Sequence, residues 1–240
     1  MEVCMLVLGL NKTTLLDYPG RVAATLFTGG CNFRCPYCHN KDIVLMNEAI
    51  ASYDESELFA FLEKRKRVLT GVCITGGEPT LHPDLPDLIR RIKELGYCVK
   101  LDTNGSNPQM LEKLIADGLI DYCAMDIKNS PAKYGITVGL DSQDAANFDR
   151  SAINASVRIL ITQQMIPYEF RTTIVRELHE EEDMLAIAQW IAGANAYFLQ
   201  SYTDSEGVLC RGFHAHSEET LRSYASLCQK FVPNTALRGI

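Results

Sequence analysis

The sequence predicts an α/β protein built on a parallel sheet. Three observations predict it. Six short runs rich in Val, Ile, Phe and Tyr recur along the chain, helical patterns lie between them, and no linker, repeat or low-complexity stretch divides the 240 residues. Strand followed by helix, six times over, implies parallel strands joined by right-handed crossovers. An apolar content of 47% is ample for a sizeable core. We expect a single domain over residues 1–240, with its core at about 20–202 and the segments 1–19 and 203–240 packed on it. Periodicity leaves open whether the sheet is flat or rolled into a barrel.

The apolar run Val3 to Leu8 is too short to span a bilayer, and neither a basic residue before it nor a small-residue cleavage site after it marks a signal. A cytoplasmic protein without a membrane partner is expected. Val22–Phe27 is the first strand candidate. Asp54 with Glu57 forms a capping pair opening a helix through Arg65, and Gly71–Thr75 is the second strand. Leu85, Leu88, Ile89, Ile92 and Leu95 share one helical face that stops at Gly96, a natural residue for the position after a helix. Cys98–Asp102 follows, then Met110, Leu111, Leu114 and Ile115 at the same helical spacing, then the strands Tyr122–Ile127 and Tyr168–Val175. Glu181 to Ile191 starts acidic, as a helix dipole favours, and Ala196–Gln200 is the sixth strand. Ser217 to Lys230 reads as helical and Val232 to Ile240 as a final extended segment.

A formal charge of −7 excludes a surface that displaces counterions from phosphates, so no nucleic acid partner is expected. Nine cysteines at irregular spacing do not suggest a disulfide framework. Six of them are expected to behave as small apolar residues, Cys73, Cys98 and Cys123 within apolar stretches. Only Cys31, Cys35 and Cys38 cluster, in the run CNFRCPYCHN. Cys35-Pro36-Tyr37-Cys38 alone is a dithiol redox motif; with His39 it is a c-type haem attachment signature; with Cys31 it is a three-thiolate iron–sulfur site. Haem attachment normally accompanies export, which the N-terminus does not suggest. A structural zinc site needs four ligands, and His39 lies too close to Cys38 for comfortable joint coordination.

Strand ends in parallel α/β folds open on one face, so polar residues there converge. The first strand runs into Gly29-Gly30-Cys31 and the second into Gly76-Gly77-Glu78-Pro79. The third ends in Asp102-Thr103-Asn104-Gly105, the fourth in Asp126-Ile127-Lys128, the fifth carries Glu169 and Arg171, and the sixth ends at Gln200. Three thiolates leave one iron of a cubane without a protein ligand, a vacancy for substrate or cofactor. Gly76 and Gly77 offer backbone for close approach to an ammonium, Lys128 and Arg171 would neutralise a carboxylate, and Tyr37 offers an aromatic face to a purine. S-adenosylmethionine matches that inventory.

Cys31-x-x-x-Cys35-x-aromatic-Cys38 followed by Gly76-Gly77-Glu78-Pro79 resembles the radical SAM superfamily. Within it, Leu16-Asp17-Tyr18-Pro19-Gly20, TLFTGGCNFRCPYCHN, LDTNG and MDIK resemble the activating proteins of glycyl-radical enzymes, with the strongest likeness to those of anaerobic ribonucleoside-triphosphate reductase; the likeness runs from about Gly9 to Gln200. The resemblance implies a partial (β/α)6 barrel with outer helices and one 4Fe-4S cluster held by Cys31, Cys35 and Cys38. An electron from a flavodoxin or ferredoxin would cleave the cofactor, and the resulting 5′-deoxyadenosyl radical would take hydrogen from a glycine of the partner enzyme. It implies cofactor contacts at Tyr37, His39, Gly76, Gly77, Glu78, Asn104, Asp126, Lys128, Arg171 and Gln200. In some relatives acidic residues at the third and fourth strands bind a monovalent cation, which makes Asp102 and Asp126 candidates for one.

Two departures stand out: formate-lyase activators place a histidine where this chain has Gln200-Ser201-Tyr202, and the best-known reductase activators are shorter than 240 residues. The interval from Asn40 to Gly71 holds no cysteine for the auxiliary-cluster module of some other activators, so a single cluster is expected. Alternatives are activation of pyruvate formate-lyase or another glycyl-radical enzyme, or small-molecule radical SAM chemistry such as deazapurine biosynthesis. A glutaredoxin-like dithiol module is a third; it would leave Cys31 and the polar rim unexplained. His82 precedes Pro83 at a helix start; His179, His214 and His216, in polar stretches, read as solvated, and Tyr202 to His216 as a loop at the site's mouth, a candidate for partner contact.

Overall fold

The computed structural model describes residues 6–47, 51–163 and 165–240. Cys4 and the start of the Val3–Leu8 run lie outside them. Eight strands form one sheet: β1 Val7–Thr14, β2 Ala23–Thr28, β3 Gly71–Gly76, β4 Cys98–Thr103, β5 Tyr122–Asp126, β6 Tyr168–Ile174, β7 Tyr197–Ser201 and β8 Thr235–Arg238. Their spatial order is their chain order. β1 runs antiparallel to β2 and every later pair is parallel. All six expected strands form, but the sheet reaches beyond 20–202 at both ends through β1 and β8.

A sheet that never reverses its strand order and keeps one crossover hand puts all its helices on one face. Its helices of nine or more residues are α1 Glu55–Arg65, α2 Leu85–Glu94, α3 Pro108–Ala116, α4 Ser151–Thr162, α5 Glu181–Trp190 and α6 Glu218–Cys228. The Asp54 carboxylate accepts from the backbone N–H groups of Ser56 and Glu57, which starts α1 where the sequence places it. In α2 the predicted stripe Leu85, Leu88, Ile89 and Ile92 is buried, and Gly96 at φ +89° ends the helix.

The other face must bury itself, so the sheet curls. Two bridges that skip a strand show the curvature: Arg171 on β6 reaches Asp102 on β4 at 3.1 Å, and Arg238 on β8 grips Glu169 on β6 at 2.7 and 2.9 Å. β1 and β8 do not pair with each other. The result is a partial barrel, open along one side. Its interior is charged: Lys100, 1% exposed, is paired with Asp102, and Tyr122 donates to Glu169 at 2.7 Å.

Tyr18 closes the floor. It is 3% exposed, lies against Gly71 at the start of β3, and meets the Tyr122 ring at 6.0 Å, while Asp17 accepts from Thr25 at 2.5 Å. The Asp17–Gly20 stretch therefore sits beneath the strands, at the opposite end from the cysteines.

Candidate active site

The loops leaving β2 and β3 continue the ladder past the strand ends. Gly77 donates to the Thr28 carbonyl and Glu78 to the Gly30 carbonyl, each at 2.8 Å. A Cβ on Gly77 would lie 1.7 Å from the Gly30 oxygen, and one on Gly76 would lie 2.3 Å from the Thr28 nitrogen at φ +119°. These glycines are thus required first for contact between two protein backbones, a reason the sequence reading did not identify.

Held at that junction, the cysteine loop folds over the barrel mouth. Phe33 N–H donates to Cys31 Sγ at 3.4 Å and Cys38 N–H to the Cys35 carbonyl at 3.0 Å. Asn104 reaches from the end of β4 to Asn32 at 2.9 Å and to Cys31 Sγ at 3.8 Å, and Asn40 donates to the Gly76 carbonyl at 3.1 Å. One cavity is lined by Cys31, Cys35, Cys38, Tyr37 and His39, with Gly76, Gly77, Glu78, Asp102, Asn104, Asp126 and Lys128 around it. Sequence-predicted residues from four strand ends thus meet at one hollow.

Two predicted contacts do not line it. Arg171 lies below, bridging Asp126 at 2.9 Å and Asp102 at 3.1 Å, and Gln200 is on β7 opposite Arg238. The bridge also bears on the cation expectation, because the guanidinium stands between the two carboxylates. Burial alone would raise both carboxyls, but Arg171 and the flanking lysines hold them below the usual range, Asp126 at about 2. Glu78, 1% exposed, spends its carboxylate on Thr80, Thr103 and the Asn104 N–H, tying the end of β3 to that of β4.

Burial would lower the Lys128 ammonium, yet Asp126 at 2.9 Å and the nearby Cys35 and Tyr37 outweigh it and hold it well above its ordinary value. Burial pushes the Cys31 and Cys35 thiols up, Cys35 to about 12, with Lys128 opposing in each case. A dithiol module would use only Cys35 and Cys38, whereas Cys31 lines the same hollow.

The C-terminal segment supplies what sequence reasoning left vague. Leu209 N–H donates to the Cys38 carbonyl at 2.9 Å, Cys210 N–H to the Pro36 carbonyl at 2.7 Å, and Lys41 N–H to the Gly207 carbonyl at 3.3 Å. His39 Nε2 meets the Thr203 carbonyl at 2.6 Å, its ring 5.5 Å from Tyr202. Thr203–Cys210 is a strap along the cysteine loop. Cys210 is exposed, contrary to the apolar role expected of it, whereas Cys73, Cys123 and Cys228 are buried as expected and Cys98 partly so. His179 is also not solvated; it is fully buried. Of the other histidines, His214 is exposed and pairs with Glu177 at 2.7 Å, and His216 is half-buried.

Comparison with known proteins decides the family. Residues 25–138 match the model of the radical SAM superfamily. Over 98% of this chain and 96% of the relative, the sequence is 32% identical to the "Putative glycyl-radical enzyme activating enzyme" of Methanocaldococcus jannaschii. The chain belongs to the radical SAM superfamily, among the glycyl-radical-enzyme activating enzymes. The pyruvate formate-lyase-activating enzyme of Clostridium pasteurianum is 30% identical over 66% of this chain and 67% of its own. Among solved structures, Streptococcus suis SuiB bound to S-adenosylmethionine superposes with a TM-score of 0.64 at 14% identity, over 88% of this chain and 48% of SuiB. TYW1 with a lysine-pyruvate adduct gives 0.63 at 17% identity, over 88% of this chain and 74% of that one. The chain thus spans about half of SuiB, and these likenesses speak for the shared barrel.

The cofactors of this radical SAM enzyme are a 4Fe-4S cluster and S-adenosylmethionine. The residues present fit both. Cys31, Cys35 and Cys38 all line the one cavity, and a cubane offers each of three thiolates a different iron. Among the described residues no helix is long and apolar enough to cross a membrane.

Proposed function

We propose that the protein activates a glycyl-radical enzyme, with Cys31, Cys35 and Cys38 holding the cluster at three irons and leaving the fourth to S-adenosylmethionine. The observation that carries this reading is the single hollow in which three cysteines face the Gly76-Gly77 turn, Asn104 and Lys128. When bound there, the cluster supplies the electron that cleaves the cofactor's C5′–S bond and so generates the radical that takes hydrogen from a glycine Cα. The chain's own residues position and neutralise. Lys128, the pocket cation, pairs with the cofactor carboxylate; the carbonyl edge of Gly76 and Gly77 accepts from its ammonium; Asn104 and His39 fix the rim; and Tyr37 packs beside the purine. Asp126 holds Lys128 in place, Arg171 holds Asp126, and Glu78 holds the Asn104 loop. Gln200 lies outside this set.

The partner we favour is anaerobic ribonucleoside-triphosphate reductase, from the motif likeness around Asp17–Gly20 and Cys31–Asn40. Similarity to the Clostridium enzyme favours pyruvate formate-lyase as the second reading. A reducing cytoplasm and a flavodoxin or ferredoxin donor belong to the same proposal. Anaerobic reconstitution should give about four irons per chain, and reduction with S-adenosylmethionine should release 5′-deoxyadenosine. Each partner enzyme is then added in turn and scanned for a glycyl radical by electron paramagnetic resonance. Cofactor cleavage without a radical on either protein would refute the assignment of partners; absence of iron would refute the whole reading.

A further inference from the structure

Lys128 is anchored from behind by a histidine that sequence reasoning set aside. His179 lies between β6 and α5, is 0% exposed, and brings Nε2 to 2.9 Å from the Lys128 carbonyl. A carbonyl can only accept, so Nε2 carries the ring proton. Nδ1 lies 3.1 Å from the Val175 N–H and 3.2 Å from the Val175 carbonyl. With burial depressing the ring's pKa and the one ring proton placed on Nε2 by the Lys128 carbonyl, Nδ1 accepts from that N–H.

Neighbouring bonds extend the grip. Thr172 donates to the Ile127 carbonyl at 2.7 Å, Asn129 donates to the Leu178 carbonyl at 2.9 Å, and His216 Nε2 meets the His179 carbonyl at 2.9 Å. Residues 127–129 are thus pinned to β6 and its following loop, while the Lys128 side chain turns the other way, into the cavity and onto Asp126. A lysine stem has four flexible methylenes, so the aim of its ammonium depends on where the backbone holds its root.

We propose that His179 is a positioning residue for S-adenosylmethionine, acting through the Lys128 carbonyl to fix the direction from which the ammonium enters the pocket. The proposal rests on the reading that Lys128 meets the cofactor carboxylate. Two substitutions separate the arms of the ring. His179→Gln carries an amide donor to the Nε2 position and can still reach Lys128, whereas His179→Asn places its polar group near Nδ1 and can serve only Val175.

Dissociation constants for S-adenosylmethionine, measured by equilibrium dialysis on anaerobically reconstituted protein, are compared with thermal midpoints. His179→Asn should weaken binding about tenfold, about 1.4 kcal/mol, and His179→Gln by less than about threefold. In a Lys128→Ala background, His179→Asn should add nothing. The proposal is overturned if Gln and Asn behave alike, if the Asn penalty survives in the Lys128→Ala background, or if His179→Asn yields no folded, cluster-loaded protein, since the histidine would then serve stability alone. An unchanged affinity in Lys128→Ala by itself would be a different failure: it would remove the role given to Lys128, and with it the basis of the proposal.

Discussion

Gly77→Ala tests the junction on which the site is built. Its Cβ would stand 1.7 Å from the Gly30 oxygen and 2.5 Å from the Gly30 carbon, backbone atoms that have no rotamer to change. A carbon and a carbonyl oxygen approach to roughly 3.3 Å, so the two loops must part by about 1.5 Å. That stretches the 2.8 Å bond from Glu78 N–H to Gly30 beyond hydrogen-bonding range and strains the neighbouring bond from Gly77 to Thr28. Each buried donor left without a partner costs about 1–3 kcal/mol, giving about 2–6 kcal/mol if both bonds are lost. Because Gly30 precedes Cys31, the cysteine loop should shift with it. Gly118→Ala is the control: its φ is +64° with open space around the would-be Cβ, so it carries only left-handed strain of about 1 kcal/mol. Urea unfolding of the unloaded protein gives the stabilities, and iron content after reconstitution gives the loop's competence. A Gly77→Ala protein within about 0.5 kcal/mol of the parent, with full iron, would refute the steric argument.

Cys35→Ser should abolish the stable cluster, whereas Cys73→Ser, on the barrel wall 3.8 Å from Lys100, should keep about four irons per chain; equal iron in the two would contradict the ligand assignment. Gly207→Ala would place a Cβ 2.7 Å from the His39 carbonyl and push the strap off the cysteine loop. We expect a loss of about 1 kcal/mol in unfolding and faster removal of iron by a chelator, measured side by side with the parent. Arg171→Met leaves Asp102 and Asp126 without their shared partner and should cost about 3–5 kcal/mol at neutral pH by urea unfolding, with a smaller penalty for the double variant that also carries Asp102→Asn. The fourth concerns pH. Burial, with a minor push from His216, lowers the His179 pKa against the opposing bonds to the Lys128 and Val175 carbonyls and the Asp183 charge. The unfolded chain therefore binds a proton below about pH 6.5 that the folded chain refuses, so stability should fall as pH drops through that value, by at most about 1.4 kcal/mol per pH unit. His179→Gln should flatten that slope; an unchanged slope would place its origin elsewhere.

Much of this was legible because the strands that build the mouth are short runs rich in β-branched and aromatic residues, set off by helical patterns between them. β1 was missed for the opposite reason: VLGLNKTT is an edge strand with exposed polar residues at its centre, and only its first residues looked structured. β8 lies within the Val232–Ile240 stretch read as extended, but at four residues it gives a period-2 pattern no room to show that it joins the sheet. The cysteines, the glycine turn and Lys128 were readable because spacing or position at a strand end marks them. His179 had no such mark, since its partner is fifty-one residues away and its surroundings in sequence, Glu177 and Glu180 to Glu182, are those of a solvated loop. Asp17–Gly20 was readable as a motif but not as a place; nothing in its composition says that Tyr18 plugs the floor.

The charged interior explains why one set of strands can be both apolar to the eye and polar in function. Each strand turns every second residue inward, and on β4, β5 and β6 those positions hold Lys100 and Asp102, Asp126, and Glu169 and Arg171. A buried ion pair is weak as a stabiliser, and apolar residues of similar volume would often hold the barrel as well or better. What apolar packing cannot do is set a direction for charge. Arg238 grips Glu169 near the open edge, the Glu169 charge favours the Arg171 guanidinium, and Arg171 bridges to Asp126, which holds Lys128 at the cavity wall. The last group in that series is the ammonium at the pocket, where His179 fixes the root while Asp126 fixes the tip. On this account the barrel's polar filling is less a cost tolerated by the fold than the means by which a flexible lysine is given one position.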